Sequence, residues 1–214
     1  MIKQIEISIP QGYADITLKR YLDLQRELKN YEGEEEAEIA VLITYLCNID
    51  ADILKGLGRE DYITINNELS KWLSNTEFEL QRFITIDGIE YGFEPNLSNI
   101  SYGAYADITR YDTIQIDENW AKIMSILYRP VVKKGIGDTY EIETYNGIGD
   151  EKKWLNVSMD KHFGCLFFFV RLSTDLLKST LKSTMGMDLP PHIKSTLARS
   201  GEIIQQLWNS PTKI

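Results

Sequence analysis

One block of eight residues, Phe163-Gly-Cys-Leu-Phe-Phe-Phe-Val170, constrains the fold of this chain more than any other segment. At helical spacing, four of these side chains form an apolar stripe, and Phe168 and Phe169 widen the stripe around most of the helix. A helix that is apolar all round is first of all a core helix, so we expect other elements to surround it. The alternative is that Phe168 and Phe169 contact another subunit. The block is too short for a membrane span, which needs about 20 residues.

The composition and net charge of the chain indicate which kinds of partner it can bind. The chain has 214 residues, of which 43% are hydrophobic and 26% charged, as in ordinary globular proteins. Its 32 acidic and 23 basic residues give a net charge of -9, which opposes contact with a phosphate backbone. The N-terminus also lacks the apolar core of a signal peptide. We therefore predict a soluble protein that is made and used without export and binds neither nucleic acid nor membrane directly.

The first 50 residues indicate one strand and two helices. Isoleucines alternate along residues 2–9, the period typical of a half-buried strand. Thr17 is predicted to cap a helix that ends before Gly33. The acidic run Glu34-Glu-Glu36 is predicted to begin a second helix, since acidic side chains favour the positive end of the helix dipole. Its residues 39–47 are apolar on most sides and should lie in the core.

Two further helices and a hairpin follow. Asp50 is predicted to cap a short helix over residues 51–57, and Gly58 separates that helix from another over residues 61–74. Two apolar runs, 83–86 and 89–93, flank Asp87-Gly88, a dipeptide that tolerates the positive φ angles of a type I′ turn. This pattern predicts a β-hairpin.

The middle of the chain predicts two short helices. Ser98 or Ser101 is expected to cap the first, which extends to about Tyr111. Asn119 is expected to cap the second, over residues 120–128. That helix should end at Arg129, because the residue before a proline is displaced from helical φ and ψ angles.

A repeated tetrapeptide invites a phosphate-binding interpretation. Gly-Ile-Gly-Asp occurs at 135–138 and again at 147–150, on either side of an alternating segment at 139–145. A phosphate-binding loop would need a longer glycine loop that ends in Lys-Ser/Thr, and a dinucleotide site would need a third glycine. We therefore predict two turns that flank a strand.

The C-terminal third is predicted to be helical. A long helix follows Asp160 to about Thr184, residues 186–191 break it, and a last helix covers residues 192–208. The predicted fold class is α+β: a mainly helical single domain at 1–185 with a small antiparallel sheet, including a β-hairpin near 82–94. Residues 186–214 form a C-terminal helical extension able to project from it. Aromatic anchors at helix ends suit partner contacts, so Leu207 and Trp208 join Phe168 and Phe169 as predicted interface residues.

No catalytic, cofactor or metal site is predicted. His162 and Cys165 are three residues apart and could share a helical face, as a Cys–His nucleophilic pair in a small hydrolase or transferase would. However, the apolar neighbours of Cys165 should raise the pKa of its thiol and make it a poor nucleophile. A disulfide with Cys47 is possible, although reduced, buried thiols fit the expected compartment better. The scattered carboxylates have no calcium-loop spacing.

The order of these features resembles a group of virion and tail-assembly proteins of tailed bacteriophages, of the crAss-like and related gut-phage kind. The resemblance lies in residues 13–18, 84–93, 123–132 and 164–172, which include Ile-Thr-Ile-Asp-Gly-Ile-Glu-Tyr-Gly-Phe and Gly-Cys-Leu-Phe-Phe-Phe-Val-Arg-Leu. It is a pattern across most of the first 180 residues and carries no catalytic residues.

This resemblance implies a non-enzymatic structural component of the virion, such as a head–tail connector or tail ring protein. Such a protein would assemble in the host cytoplasm and remain in the virion. Its partners would be other phage structural proteins, such as portal or tail components, or further copies of itself in an oligomer or ring. The alternative is a tail-assembly chaperone that is not retained in the mature virion.

Overall fold

The computed structural model describes residues 6–75 and 77–184, with side chains described as far as Asp175. The α-helices are α1 Leu18–Leu28, α2 Glu35–Cys47, α3 Ala51–Lys55, α4 Arg59–Leu73, α5 Tyr102–Ile108, α6 Trp120–Leu127 and α7 Met159–Thr184. The strands are β1 Phe83–Ile86, β2 Ile89–Phe93, β3 Tyr128–Lys134 and β4 Tyr140–Ile142. Short 3-10 turns cover Tyr13–Asp15, Lys29–Tyr31, Leu97–Asn99 and Glu151–Asn156. The predicted fold class, a mainly helical α+β domain with a small antiparallel sheet, is confirmed.

Local capping signals account for several helix boundaries. The Thr17 hydroxyl accepts a hydrogen bond from the Arg20 N–H at 3.3 Å, so it caps α1 as predicted. Of the two serines proposed for α5, Ser101 is the cap, and its hydroxyl accepts from the Ala104 N–H. After α2, Asn48 adopts a left-handed conformation with φ of 52°, which ends the helix.

Several predictions from the sequence were wrong or too long. Of the strand predicted at 2–9, residues 6–9 form no strand, and residues 2–5 lie outside the described residues. The side chains of Asn119 and Asp50 do not cap α6 and α3. The amide oxygen of Asn119 instead accepts from the Lys122 ammonium at 3.1 Å. The predicted strand at 139–145 is shorter, and the predicted break and helix after residue 185 lie outside the described residues.

The sheet has the strand order β1-β2-β3-β4, with every neighbouring pair antiparallel. The predicted hairpin is confirmed: Asp87 and Gly88 have φ of 51° and 79°, as a type I′ turn requires. Strand β3 starts directly where α6 ends, and it pairs Tyr128 with Phe93 and Pro130 with Tyr91. A register shift between Val131 and Lys133 interrupts the regular pairing of β3 with β4.

A glycine in β2 lets the sheet curl on itself. A methyl group at Gly92 would lie 2.8 Å from the Tyr140 ring and 2.9 Å from the Ile142 side chain. The Tyr140 ring therefore covers Gly92 and reaches Phe83 in β1, with 4.7 Å between the ring centroids. The Tyr140 hydroxyl donates to the Phe93 carbonyl at 2.7 Å, which fixes this arrangement.

A second glycine allows α7 to approach the chain closely. Gly164 lies in the apolar part of α7, and a methyl group there would overlap the Glu79 carbonyl oxygen. Because the overlapping atom of Glu79 belongs to the backbone, no side-chain rotation can relieve the overlap. This contact holds α7 against the segment that leads into β1.

We expect Gly164→Ala to lower the free energy of unfolding by about 1–3 kcal/mol, since overpacking against backbone outweighs the better helix propensity of alanine. Urea unfolding monitored by circular dichroism measures the change. Gly103→Ala is the matched control in α5, where the added methyl group would lie 3.4 Å from the Tyr145 ring. The control should be neutral or stabilising by up to about 1 kcal/mol. Equal effects at the two glycines would contradict this account.

Candidate interaction site on helix α7

The predicted interface residues Phe168 and Phe169 are both half-buried and pack against the edge of the core. The Phe168 ring meets the Phe93 ring of β2 edge-on, with 5.4 Å between centroids. Phe169 contacts Phe168 at the same distance. Both side chains therefore have intramolecular contacts and a remaining exposed area. Leu207 and Trp208 lie outside the described residues, so the structure does not bring the four predicted residues together.

The other face of α7 carries a larger aromatic cluster. Phe163 and Phe167 pack on Phe78, with centroids 5.0 and 5.6 Å away. Tyr13 meets the Phe163 ring edge-on at 4.8 Å, and Tyr21 of α1 does so at 5.6 Å. Such edge-on pairs add about 0.5–1.5 kcal/mol each beyond the area they bury. The cluster joins four separate segments of the chain.

This cluster lines an apolar pocket of about 100 Å³ between α1, α2 and α7. Its lining residues are Tyr13, Ile16, Tyr21, Leu24, Gln25, Leu28, Leu42, Leu46, Leu73, Asn75, Phe78, Phe163 and Phe167. Asn75 is exposed and several of the others, including Gln25 and Leu28, are half-buried, so the pocket is only partly enclosed. We call it the α1–α7 pocket.

The tyrosines of the pocket stay neutral at physiological pH. Burial, with a smaller contribution from Tyr21, raises the pKa of Tyr13 to about 12. The Tyr13 hydroxyl donates to the Leu73 carbonyl at 3.0 Å, which satisfies its polar group. Burial also raises the pKa of Tyr21. Because most of its lining is aliphatic or aromatic, the pocket suits an apolar group better than a charged ligand.

This pocket was not predicted from the sequence. Phe163 and Phe167 were predicted to belong to a core stripe, but no contact of Tyr13, Tyr21 or Phe78 with that stripe was predicted. The available signal was the spacing of Tyr21, Leu24 and Leu28 along α1, which places them on one face. Which segments would meet that face depends on contacts between distant parts of the chain.

The hypothetical Cys–His pair does not form an accessible nucleophilic site. Cys165 and His162 are both fully buried. Burial raises the pKa of the Cys165 thiol well above its usual range, so the thiol stays protonated. The His162 Nε2 lies 3.2 Å from the Trp154 carbonyl oxygen, so this nitrogen has a backbone hydrogen-bond partner. Cys47 is also buried, and both cysteines are free thiols.

Other site classes gain no support from the described part of the chain. There, no three His, Cys, Asp or Glu side chains are grouped closely enough to hold a metal ion. Nor does any helix in that part combine the length and apolar character needed to cross a bilayer. Comparison with known proteins gives no match to a family model, a curated protein or a solved structure.

We expect the stability of the protein to fall between about pH 6.5 and pH 4. Burial lowers the pKa of His162 from 6.5 to about 4, while the carbonyls of Trp154 and Val157 partly oppose this. The unfolded chain therefore binds a proton that the folded chain excludes over this range, and the total loss is roughly 3 kcal/mol. Urea midpoints measured from pH 7 to pH 4 test this. His162→Gln should flatten the slope, and an unchanged slope would contradict the assignment.

We expect Cys165 to resist thiol reagents in the folded protein. Burial excludes the reagent and keeps the thiol protonated. Labelling of Cys165 in the Cys47→Ser variant should therefore be roughly a thousandfold slower in buffer than in urea. The comparison uses an aromatic disulfide reagent followed by absorbance. Rapid labelling of Cys165 in buffer would revive the nucleophile hypothesis.

Proposed function

We propose that this protein is a non-enzymatic structural component of a tailed-phage virion, in the class of head–tail connector or tail ring proteins. It acts through protein–protein contacts with other virion proteins and with further copies of itself. The observation that carries the proposal is that α7 serves packing and not chemistry. Its aromatic residues pack on two sides of the helix, and its cysteine and histidine are buried and offer no accessible reactive group.

The length of α7 supports a contact function. Its 26 residues extend about 39 Å at the helical rise of 1.5 Å per residue. Val170 is buried, whereas Arg171, Leu172 and Asp175 are exposed. The helix thus continues beyond the segment that the core needs, and a helix of this kind offers a surface for a neighbouring subunit.

A second candidate, a tail-assembly chaperone, is favoured by the α1–α7 pocket. An apolar pocket that opens to solvent could hold an apolar side chain of a client protein until that client assembles. The two candidates differ in whether the protein stays in the finished particle.

Mass spectrometry of purified virions distinguishes these functions. A structural component should appear in the particles at a copy number comparable with that of known ring or connector proteins in the same sample. A chaperone should be missing from particles and should copurify with a tail protein from infected-cell lysate. Absence from both fractions would overturn both candidates. An abundant protein that never enters particles serves as the control for contamination.

A further inference from the structure

The segment between β4 and the 3-10 turn that follows it is held on both sides and unbonded in the middle. On one side, the Tyr145 hydroxyl donates to the Asp107 carboxylate. On the other, the Asp150 carboxylate accepts from the Lys152 N–H at 3.1 Å. Among the described residues, no hydrogen bond involves residues 146–149, which also lie outside every helix and strand. These four residues form a largely exposed loop that we call the 146–149 loop.

This loop contains Asn146-Gly147, the one Asn-Gly pair in the sequence. Asn146 is exposed, and within the described part of the chain neither its amide group nor the Gly147 N–H makes a hydrogen bond. Gly147 has a φ of 121°, a conformation that suits glycine and few other residues. A Cβ atom built at Gly147 would meet nothing within 4 Å beyond its chain neighbours. The Gly147 nitrogen is therefore unshielded and free to approach the side chain before it.

We propose that Asn146 is a site of spontaneous deamidation through a cyclic imide. The Gly147 peptide nitrogen attacks the side-chain carbonyl carbon of Asn146, and a new C–N bond forms as the C–NH₂ bond breaks. The proton lost from the peptide nitrogen leaves with the amino group as ammonia. Water then adds to one of the two imide carbonyls and opens the ring, which leaves aspartate or isoaspartate. Water is the only co-reactant, so the reaction does not depend on the proposed function.

Comparison with other positions explains why the reaction selects Asn146. Asn96 is also exposed and lies in a loop, but the side chain of Leu97 crowds the nitrogen that would have to attack. The Asp87-Gly88 turn has a glycine in the right place, yet strand pairing holds it on both sides. An ionised carboxylate is also a poorer target for a nucleophile than a neutral amide. Asn146 thus combines a neutral amide, an uncrowded neighbour and an unbonded backbone.

The modification changes both charge and backbone length. Either product replaces a neutral amide with a carboxylate, which adds one negative charge to a chain whose net charge is already -9. Isoaspartate also lengthens the main chain by one carbon atom, because the chain then passes through the side-chain carbon. Since residues 146–149 bond to nothing in the described part of the chain, neither product removes a hydrogen bond of the fold. The folded protein can therefore accumulate the change as it ages.

Peptide mapping of the full chain after incubation at physiological temperature and pH tests the proposal. Trypsin cleavage after Lys134 and Lys152 gives a peptide, 135–152, in which Asn146 is the one amide side chain. We expect aspartate and isoaspartate forms of this peptide to accumulate with time, and faster in alkaline buffer, because the attacking nitrogen must lose its proton. Electron-transfer fragmentation distinguishes the two acids. A digest of the fresh protein corrects for deamidation during digestion.

Two controls separate this chemistry from general damage. Asn146→Gln keeps an exposed amide, but its longer side chain must close a larger and less favourable ring, so no acid should accumulate in 135–152. Asn96 in the wild-type chain should keep its amide over the same time. A synthetic peptide of residues 135–152 gives the rate without the fold. The folded chain should react within about tenfold of that rate, because no hydrogen bond has to open first.

Any of four results would overturn the inference. The first is a folded chain that reacts more than about tenfold more slowly than the synthetic peptide, since the fold would then protect the site by more than one typical hydrogen bond. The second is aspartate without isoaspartate, which would indicate direct hydrolysis of the amide. The third is equal deamidation at Asn96, and the fourth is equal deamidation in Asn146→Gln. None of these results bears on whether the protein enters virions.

Discussion

The fold depends on one short junction between segments about 140 residues apart in sequence. The Leu18 N–H donates to the Val157 carbonyl at 3.0 Å, and the Met159 N–H donates to the Ile16 carbonyl at 2.7 Å. These bonds fix the start of α1 against the start of α7, and the side chains of Ile16, Leu18 and Met159 are almost completely buried. Since both helices begin here, the α1–α7 pocket is a consequence of this junction.

Aromatic and ionic contacts attach the sheet to α7 and α6. Phe93 of β2 packs on Phe168 of α7, and its backbone is held beside β3. At the start of β3, Arg129 and Glu94 form a pair with a contact of 2.6 Å, and both side chains are nearly buried. The Arg129 guanidinium also donates to the Ile126 carbonyl at 2.7 Å, so the same group holds the end of α6. Removal of one partner would leave a buried charge unpaired, which is strongly destabilising.

Local signals in the sequence predicted the parts of the fold that depend on neighbouring residues. Thr17 caps a helix through a residue three positions away, and Asp87-Gly88 forms a turn through its own φ angles. The cap and the hairpin that they predict are confirmed. Strand β3 was not predicted, because Pro130 usually argues against a central strand and the pairing of β3 with β2 is non-local. The contact of Gly164 with Glu79, and the pocket itself, likewise follow from packing between distant segments that periodicity does not encode.

The division of α7 into two packing faces limits where a partner can bind. Phe163 and Phe167 face the helices while Phe168 faces the sheet, so the apolar surface that suggested an interface is mostly used within the molecule. The surface left for a partner includes the exposed residues of α7 after Val170, the α1–α7 pocket and the exposed end of the sheet. Because Ile136, at the tip of the β3–β4 hairpin, owes its position to backbone bonds and a glycine turn, its exposure is built into the hairpin and is not a failure of packing.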